Sequence, residues 1–365
     1  MKVLFIVYHP VDPYIVFETA AKIEKDGGET FFIIVEKENI IKKIVDSKGF
    51  KNKVIGESKK SFTGKVVTAF NIIYQIYNIT KRFKPDIVFS PTGPYTSFAF
   101  KYSKIPLICW EDTETATFNY KYSYKRIDSL LLVEPFYLDI SAEKIIRFNG
   151  YKELAYLHPN IFKPNPDVLK ELNLSIKDKI VLMRFSALNA MHDIGLTSEV
   201  LTNEDKILNF IKKIEKKYQV RVFISMTERN LSDEFKNYRL NLAPDKYTHL
   251  LAFCTLYLGE GTTTASEAGV LGVPWINIQH TKRGYLIDQE ENYSLGFRTD
   301  NLEYALEKAE EFLQDDKILE QWKLKRGKLL KDKIDVSGFL TWFLTNYPDS
   351  HHIMKRNPNY QNQFK

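Results

Sequence analysis

The first half of the chain alternates short apolar runs with longer stretches of helical periodicity. Runs rich in Ile, Val, Leu and Phe predict buried strands at residues 3–7, 30–35, 86–90, 106–110 and 129–133. Residues 14–25 and 66–82 place apolar side chains at three- and four-residue spacing, which predicts helices. Strands separated by helices indicate a parallel sheet with helices on both faces.

A proline-rich segment interrupts this alternation at residues 158–166. Its three prolines, at positions 159, 164 and 166, make it stiff and extended, which is typical of a connection between domains. Further strands are then predicted at residues 179–185, 219–226, 255–258 and 274–278, and further helices at 204–217, 302–313, 317–330 and 337–347. The sequence therefore predicts an α/β protein of two doubly wound, Rossmann-like domains.

The predicted boundaries place the first domain at residues 1–160 and the second at 161–334. A short helix is expected within residues 335–348, and the polar residues 349–365 are expected to form a flexible tail. In doubly wound sheets, ligands bind at the carboxyl ends of the strands. A cleft between the two domains is therefore the expected site.

Composition excludes several classes of protein. A length of 365 residues favours two domains, and 44% hydrophobic with 27% charged residues is ordinary for a soluble protein. Cys109 and Cys254 lie in apolar runs and are expected to be buried thiols. Residues 3–7 are too short for a signal peptide, so a cytoplasmic location is expected. The seven histidines show no zinc spacing, so no metal is expected.

The charge is unevenly distributed. The net charge is +6, but residues 40–84 carry eleven Lys or Arg and two acids, a local balance of +9. Such a basic field attracts anionic surfaces, although a solvated lysine-rich face is the alternative. The segment lacks a nucleic-acid motif, and no nucleic-acid partner is expected. Its amphipathic residues 66–83 suit peripheral contact with an anionic membrane, at the inner face of the cell membrane.

The segment with the clearest chemistry is Gly259-Glu260-Gly261-Thr262-Thr263-Thr264, followed by Glu267. Its pattern predicts a strand, a tight turn and a helix. Glycine lets the backbone approach a ligand closely, and the amides at a helix start suit a diphosphate. A carboxylate within the first two turns can accept two ribose hydroxyls. The alternative is an ordinary turn in which a threonine caps the helix.

Two further loops carry candidate acids and bases. His9 follows the first strand, and Asp12 is placed to orient it, so His9 is a candidate general base. A histidine that caps the next helix is the alternative. Asp112 and Glu114 follow the strand at residues 106–110, beside Glu111, and suit acid–base chemistry, sugar-hydroxyl binding or a divalent cation. The alternative for these carboxylates is an acidic helix N-terminus.

The loop resembles a known superfamily. Residues 261–268, followed by Leu271-Gly272-Val273-Pro274, are similar to the nucleotide-sugar loop of GT-B proteins. That superfamily includes the N-acetylglucosaminyltransferase of peptidoglycan synthesis and the non-hydrolysing UDP-N-acetylglucosamine 2-epimerases. The resemblance implies that Glu267 holds the ribose and that the loop holds the diphosphate. It also implies that the final helix returns to the first domain.

A closer resemblance covers nearly the whole chain. The chain is similar to an uncharacterised prokaryotic family of GT-B-like proteins, known as a domain of unknown function. The landmarks that match in order are His9-Pro10, Lys84-Pro85-Asp86, Asp112-Thr113-Glu114, residues 151–158, Arg184-Phe185 with His192-Asp193, and His249-Leu250-Leu251-Ala252. The family commonly has a second histidine after the first pair, where this chain has Val11-Asp12-Pro13.

The GT-B resemblance assigns roles to four more residues. It implies that Arg184 and Ser186 approach the phosphates of the donor. His192 matches a turn that belongs to the active site of the epimerases, and His249 lies in the region that borders the base of the nucleotide. GT-B enzymes generally use no bound metal, so no cofactor is expected apart from a nucleotide-sugar substrate.

These features predict a glycosyltransferase-like enzyme of polysaccharide biosynthesis. It would transfer a sugar from a UDP-sugar to a glycan or lipid-linked acceptor. One alternative is a UDP-sugar 2-epimerase that uses Asp112, Glu114 and His192. Another alternative is a non-catalytic protein that binds a nucleotide-sugar.

Overall fold

The computed structural model describes residues 1–36, 39–56, 62–115, 117–137, 143–185, 203–226, 232–279 and 282–365, without the side chains of residues 62–65, 118, 120 and 226. The chain forms two compact units. Unit 1 comprises Met1–Ile161 and Lys333–Lys365, and unit 2 comprises Phe162–Asp332. The first division falls inside the proline-rich segment.

Unit 1 is built on a parallel sheet of seven strands in the order β3-β2-β1-β4-β5-β6-β7. The strands are β1 (Lys2–Val7), β2 (Glu29–Val35), β3 (Asn52–Ile55), β4 (Ile87–Pro91), β5 (Leu107–Glu111), β6 (Ser129–Val133) and β7 (Ile145–Phe148). The central strands are mostly apolar because helices cover both faces. Every residue of β5 and β6 is buried.

Unit 2 is built on a parallel sheet of five strands in the order β12-β11-β10-β8-β9. The strands are β8 (Lys179–Phe185), β9 (Val220–Met226), β10 (Leu256–Gly259), β11 (Trp275–Ile278) and β12 (Gly296–Thr299). Both units are therefore doubly wound and Rossmann-like, which confirms the predicted fold class.

The helices, numbered along the chain, connect the strands or follow the last of them. They are α1 (Asp12–Lys25), α2 (Ile40–Asp46), α3 (Phe62–Phe83), α4 (Pro94–Ala99), α5 (Thr117–Tyr124), α6 (Leu154–Leu157), α7 (Asp167–Glu171), α8 (Glu204–Tyr218), α9 (Tyr247–Leu251), α10 (Thr262–Leu271), α11 (Gly284–Glu291), α12 (Leu302–Gln314), α13 (Ile318–Asp332), α14 (Val336–Thr345) and α15 (Asp349–Arg356). The first six and the last two belong to unit 1.

The expectation of a flexible tail at residues 349–365 is wrong. These residues form α15 and a 3₁₀ helix (Pro358–Phe364), and both pack within unit 1. The rings of Tyr360 and Phe364 lie 4.9 and 5.6 Å from the ring of Trp342. Gln361 is buried and accepts a 2.7 Å hydrogen bond from the amide of Asn149. Aromatic packing and this bond anchor a segment whose composition is polar.

Each sheet has a point where the strand order reverses. The reversal lies between β1 and β4 in unit 1, and between β8 and β10 in unit 2. Loops that leave adjacent strands there turn to opposite faces of the sheet, which leaves a crevice where ligands bind in doubly wound proteins. His9 follows β1, and the loop at residues 259–264 begins at the last residue of β10. Both candidate loops therefore lie at switch points.

Candidate functional site

The backbone of the 259–264 loop is held against the end of β8. Gly259 lies opposite Arg184 in the register of β10 and β8, and the amide of Glu260 donates to the Arg184 carbonyl at 3.0 Å. A Cβ atom at position 259 would overlap that carbonyl, so the close approach requires glycine. Asn277 of β11 donates to the Gly259 carbonyl at 3.1 Å. Three neighbouring strands therefore fix the loop.

The N-terminus of α10 points out of this loop. Gly261 is the N-cap and its position carries no side-chain cap, so the alternative of a threonine-capped turn is wrong. The first intrahelical bond runs from the Ala265 amide to the Gly261 carbonyl at 3.0 Å. The amides of Thr262, Thr263 and Thr264 precede that bond and have no acceptor within the helix. With the positive end of the helix dipole, this geometry suits an anionic group.

A cationic side chain lies beside the loop. The guanidinium carbon of Arg184 lies 5.6 Å from the ring centre of Tyr247 in α9. Burial alone would lower the pKa of Arg184, but its tyrosine neighbours and Glu267 raise it. Burial also raises the pKa of Tyr247 to about 12, so the phenol is neutral at physiological pH. Arg184 is therefore a permanent cation, and it makes a cation–π contact with the ring of Tyr247.

Glu267 lies in α10, and its side chain is buried. Its charge acts on Arg184, Tyr247 and Tyr257, which places the carboxylate among these three residues. Tyr257 donates from its hydroxyl to the Gly261 carbonyl at 3.0 Å. The structure thus brings Arg184, Glu267 and the loop together within unit 2, as the sequence predicts. The sequence pattern gives no role to Tyr257, because a residue inside a buried strand is expected to be part of the core.

The other residues predicted for the nucleotide-sugar differ in placement. His249 lies in α9, accepts the amide of Asn165 on Nδ1 at 3.0 Å and stacks on Phe162 at 4.7 Å. These contacts fix the start of unit 2. Ser186 and His192 lie outside the described residues, so their roles stay predictions.

In unit 1, Asp12 organises the loop after β1. Its carboxylate accepts the amides of Tyr8 and His9 at 2.8 and 2.9 Å. It therefore orients the backbone of His9. Burial raises the pKa of Asp12 to about 6, although the two hydrogen bonds lower it. The charge of Lys152 also lowers this pKa, and the charge of Asp112 raises it. His9 itself is exposed, and its Nδ1 accepts the amide of Val11 at 3.3 Å.

The carboxylates at the end of β5 and in the loop after it are all buried. Glu111, Asp112 and Glu114 each have less than a tenth of their surface exposed. Helix α5 begins at Thr117 with no acid in its first turn, so these residues do not form an acidic helix N-terminus. Glu111 accepts a hydrogen bond from the hydroxyl of Thr92 and a 3.1 Å bond from the Thr113 amide. Despite these bonds, burial and then Asp112 raise the pKa of Glu111 to about 8.

Lys152 completes this cluster, and sequence reasoning did not identify it. Its ammonium pairs with Asp112 and lies 3.7 Å from Glu153, and all three side chains are buried. Asp112 follows β5, whereas Lys152 follows β7. The ion pair therefore joins two loops that leave the carboxyl ends of strands in the same sheet. The only signal in the sequence is the pair Lys152-Glu153 inside an otherwise apolar stretch.

The cluster therefore contains two neighbouring carboxyl groups in different environments. Asp112 pairs with the ammonium of Lys152. Glu111 keeps its proton near neutral pH. Adjacent carboxyl groups in such different environments are typical of acid–base pairs. Across the described residues, no group of three or more His, Cys, Asp or Glu side chains is arranged to hold a metal ion.

The raised pKa of Glu111 predicts a pH dependence of stability. A carboxyl whose folded pKa lies above its ordinary value of 4.5 contributes stability that is complete below 4.5 and is lost as the pH rises through about 8. We expect Glu111→Gln to remove this dependence, on the order of a few kcal/mol. Thermal unfolding of both proteins at pH 5 and pH 8 measures it. The exposed Glu18→Gln is the control, and an unchanged slope in Glu111→Gln would refute the assignment.

Two Rossmann-like units, with a glycine-threonine loop at the switch point of the second, define a GT-B-type α/β protein. The chain belongs to the family described as "Protein of unknown function (DUF354)", whose model matches residues 11–331. No curated protein matches the chain in sequence.

Solved structures share the fold at low identity. The UDP-GlcNAc 2-epimerase of Neisseria meningitidis, bound to UDP-GlcNAc, is 14% identical with a TM-score of 0.66, over 94% of this chain and 98% of that chain. The UDP-GlcNAc 2-epimerase of Methanocaldococcus jannaschii is 16% identical with a TM-score of 0.65, over 87% and 94%. A glycosyltransferase of Rickettsia africae is 14% identical with a TM-score of 0.59, over 97% and 98%.

Proposed function

We propose that the protein is a glycosyltransferase that transfers a sugar from a UDP-sugar to a glycan or lipid-linked acceptor. The observation that carries the proposal is the 259–264 loop, held against β8 at the switch point of unit 2. It presents three helix N-terminal amides beside Arg184 and Glu267. This combination offers separate partners to a diphosphate and to a ribose.

The two parts of the donor would bind to protein groups of opposite charge. The diphosphate would accept from the amides of Thr262, Thr263 and Thr264 and pair with Arg184. Glu267 would accept the two ribose hydroxyls. A UDP-sugar is favoured over other nucleotide-sugars because two of the related folds are UDP-GlcNAc 2-epimerases.

Unit 1 would supply the acid–base groups. In an inverting transfer, a base removes the proton of the acceptor hydroxyl, whose oxygen forms the new bond to the sugar. The bond from the sugar to the diphosphate breaks, and the diphosphate leaves with the electron pair. The candidate bases are His9 and the carboxylates of Asp112 and Glu114. The bond from the Val11 amide to Nδ1 of His9 places the proton of a neutral imidazole on Nε2, so His9 would have to release that bond to act through Nε2.

The charge of the leaving diphosphate would be stabilised without a bound metal or cofactor. The dipole of α10 and the guanidinium of Arg184 are fixed before the reaction, and such preorganised groups stabilise developing charge strongly. We place the reaction in polysaccharide biosynthesis in the cytoplasm. A lipid-linked acceptor would require access to a membrane surface.

A second candidate function is UDP-sugar 2-epimerisation. The adjacent Glu111 and Asp112 favour it, because an epimerase must remove one proton and return another at the same carbon. Glu111 retains a proton and Asp112 is paired with an ammonium. The transferase needs a single base for its acceptor, so it makes less use of this pair.

Product analysis separates the two activities. The protein is incubated with UDP-GlcNAc alone and then with a panel of glycan and lipid-linked acceptors. A transferase is expected to release UDP at a rate that depends on the acceptor, and to leave the sugar unchanged without one. Formation of the 2-epimer from UDP-GlcNAc alone would replace our proposal by the second candidate. Nucleotide binding without either product would indicate a non-catalytic binding protein.

A further inference from the structure

Exposed apolar side chains are concentrated on one part of unit 1. Among the described residues, fourteen large hydrophobic side chains are exposed, and eight of them lie on α3, α4, α5 or the turn after α4. Helix α3 alone carries five of them, which are Val66, Val67, Phe70, Tyr74 and Tyr77. Scattered apolar residues are normal on a protein surface, but a cluster of this size marks an interaction site.

The α3 residues form one stripe. Phe70, Tyr74 and Tyr77 follow one another at four- and three-residue spacing and are 69, 63 and 51% exposed. Residues at these spacings share a helix face. A different face of α3 carries Ile72 and Ile76, which are buried in unit 1. The helix therefore has two apolar faces, and only one of them is used by the fold.

The segment of sequence that contains α3 is strongly basic. Between residues 58 and 85 the chain has six Lys or Arg and no Asp or Glu. Lys81 continues the stripe after Tyr77, and Arg82 lies beside it in the last turn of α3. Both are exposed. This combination of exposed aromatic rings with uncompensated cations is unlike the interior of a protein interface, where charged residues are depleted.

Helix α4 and the turns after α4 and α5 also combine exposed aromatic rings with cations. Helix α4 contacts both α3 and α5. The ammonium of Lys101 lies 4.7 Å from the ring centre of Tyr102, which is 87% exposed. The guanidinium of Arg126 lies 4.5 Å from the ring centre of Phe98. Aromatic and cationic side chains therefore alternate beyond α3 itself.

We propose that the exposed face of α3, together with α4 and the turn after it, docks on the surface of an anionic phospholipid bilayer. Aromatic rings favour the depth of the lipid headgroups, and Lys and Arg are attracted to their phosphates. A second copy of the chain fits this face less well, because it would bring two basic surfaces together with no acid in residues 58–85 to pair with them. The contact is peripheral, since none of the described helices is both long enough and apolar enough to span a membrane.

Vesicle sedimentation tests the proposal. The full chain is mixed with vesicles of phosphatidylcholine alone, or of phosphatidylcholine with phosphatidylglycerol, at low and high salt. We expect binding to the anionic vesicles only, weakened by salt. Lys81→Glu with Arg82→Glu should weaken it at least about tenfold, because each cation near the surface contributes about 1 kcal/mol. Phe70→Ser with Tyr74→Ser should weaken it at low and high salt alike.

Ile176→Ser with Leu324→Ser is the matched control. These two side chains are 74 and 78% exposed, but they belong to unit 2, so vesicle binding should not change. Equal binding of the wild type and the α3 variants, or no binding to anionic vesicles, would overturn the proposal. A concentration-dependent dimer that Phe70→Ser with Tyr74→Ser dissociates, without vesicle binding, would assign the face to a second copy. The result is independent of whether the protein transfers a sugar.

Discussion

Replacing Lys152 by methionine is expected to destabilise unit 1 by about 3–5 kcal/mol. The ammonium of Lys152 pairs with Asp112, and the two side chains are only 7 and 5% exposed. Methionine keeps most of the volume but leaves Asp112 as a buried carboxylate without this partner. The loss of a partner from a buried ion pair costs far more than the pair contributes when both partners are present. Hydrogen exchange of β5 across a urea titration measures the effect on unit 1 itself.

Two further variants separate this account from simple loss of packing. Adding Asp112→Asn to Lys152→Met should recover part of the lost stability, because the neutral amide no longer requires a cation. Lys22→Met, which breaks an exposed pair with Asp26 in the same unit, should have little effect. A double variant as unstable as Lys152→Met alone would show that the charge of Asp112 is not the cause.

The central strands of both sheets are predictable from the sequence, whereas three of the four edge strands are not. Strands such as β1 and β6 are buried on both faces and appear as unbroken apolar runs. The sequence pattern misses β3, β7 and β12, and all three lie at sheet edges. The residues of β12 are all half-buried, so this edge strand does not need a continuous apolar sequence. Its sequence, Gly-Phe-Arg-Thr, therefore gives no strand pattern.

The candidate site also has one part that the sequence predicts and one part that it does not. The 259–264 loop and Glu267 are contiguous, so local spacing alone identifies them. The pair of Lys152 with Asp112 joins residues 40 positions apart, and neither position has a pattern that predicts burial of a charge. The segment at residues 349–365 was assigned as flexible from its polarity, but its few aromatic side chains pack against α14. Long-range contacts of this kind are not encoded in local periodicity.

Replacing Glu267 by alanine is expected to weaken nucleotide binding at least about 100-fold. In our account the carboxylate accepts two ribose hydroxyls, and hydrogen bonds to a charged group contribute about 1.5–3 kcal/mol each. Glu267 is buried in α10 beside Arg184, so its orientation is fixed before the nucleotide arrives. Glu267→Gln should lose less, since the amide keeps the shape and one acceptor.

Isothermal titration of UDP into the wild type and Glu267→Ala tests the central claim most directly, with melting temperatures confirming that both are folded. Glu303→Ala is the control, because Glu303 is exposed on α12 in the same unit and pairs only at the surface with Lys206. We expect saturable binding by the wild type and the control, and at least about 100-fold weaker binding by Glu267→Ala. Equal affinities for wild type and Glu267→Ala, or no binding of UDP by the wild type, would contradict the assignment of unit 2 as the nucleotide-sugar-binding unit.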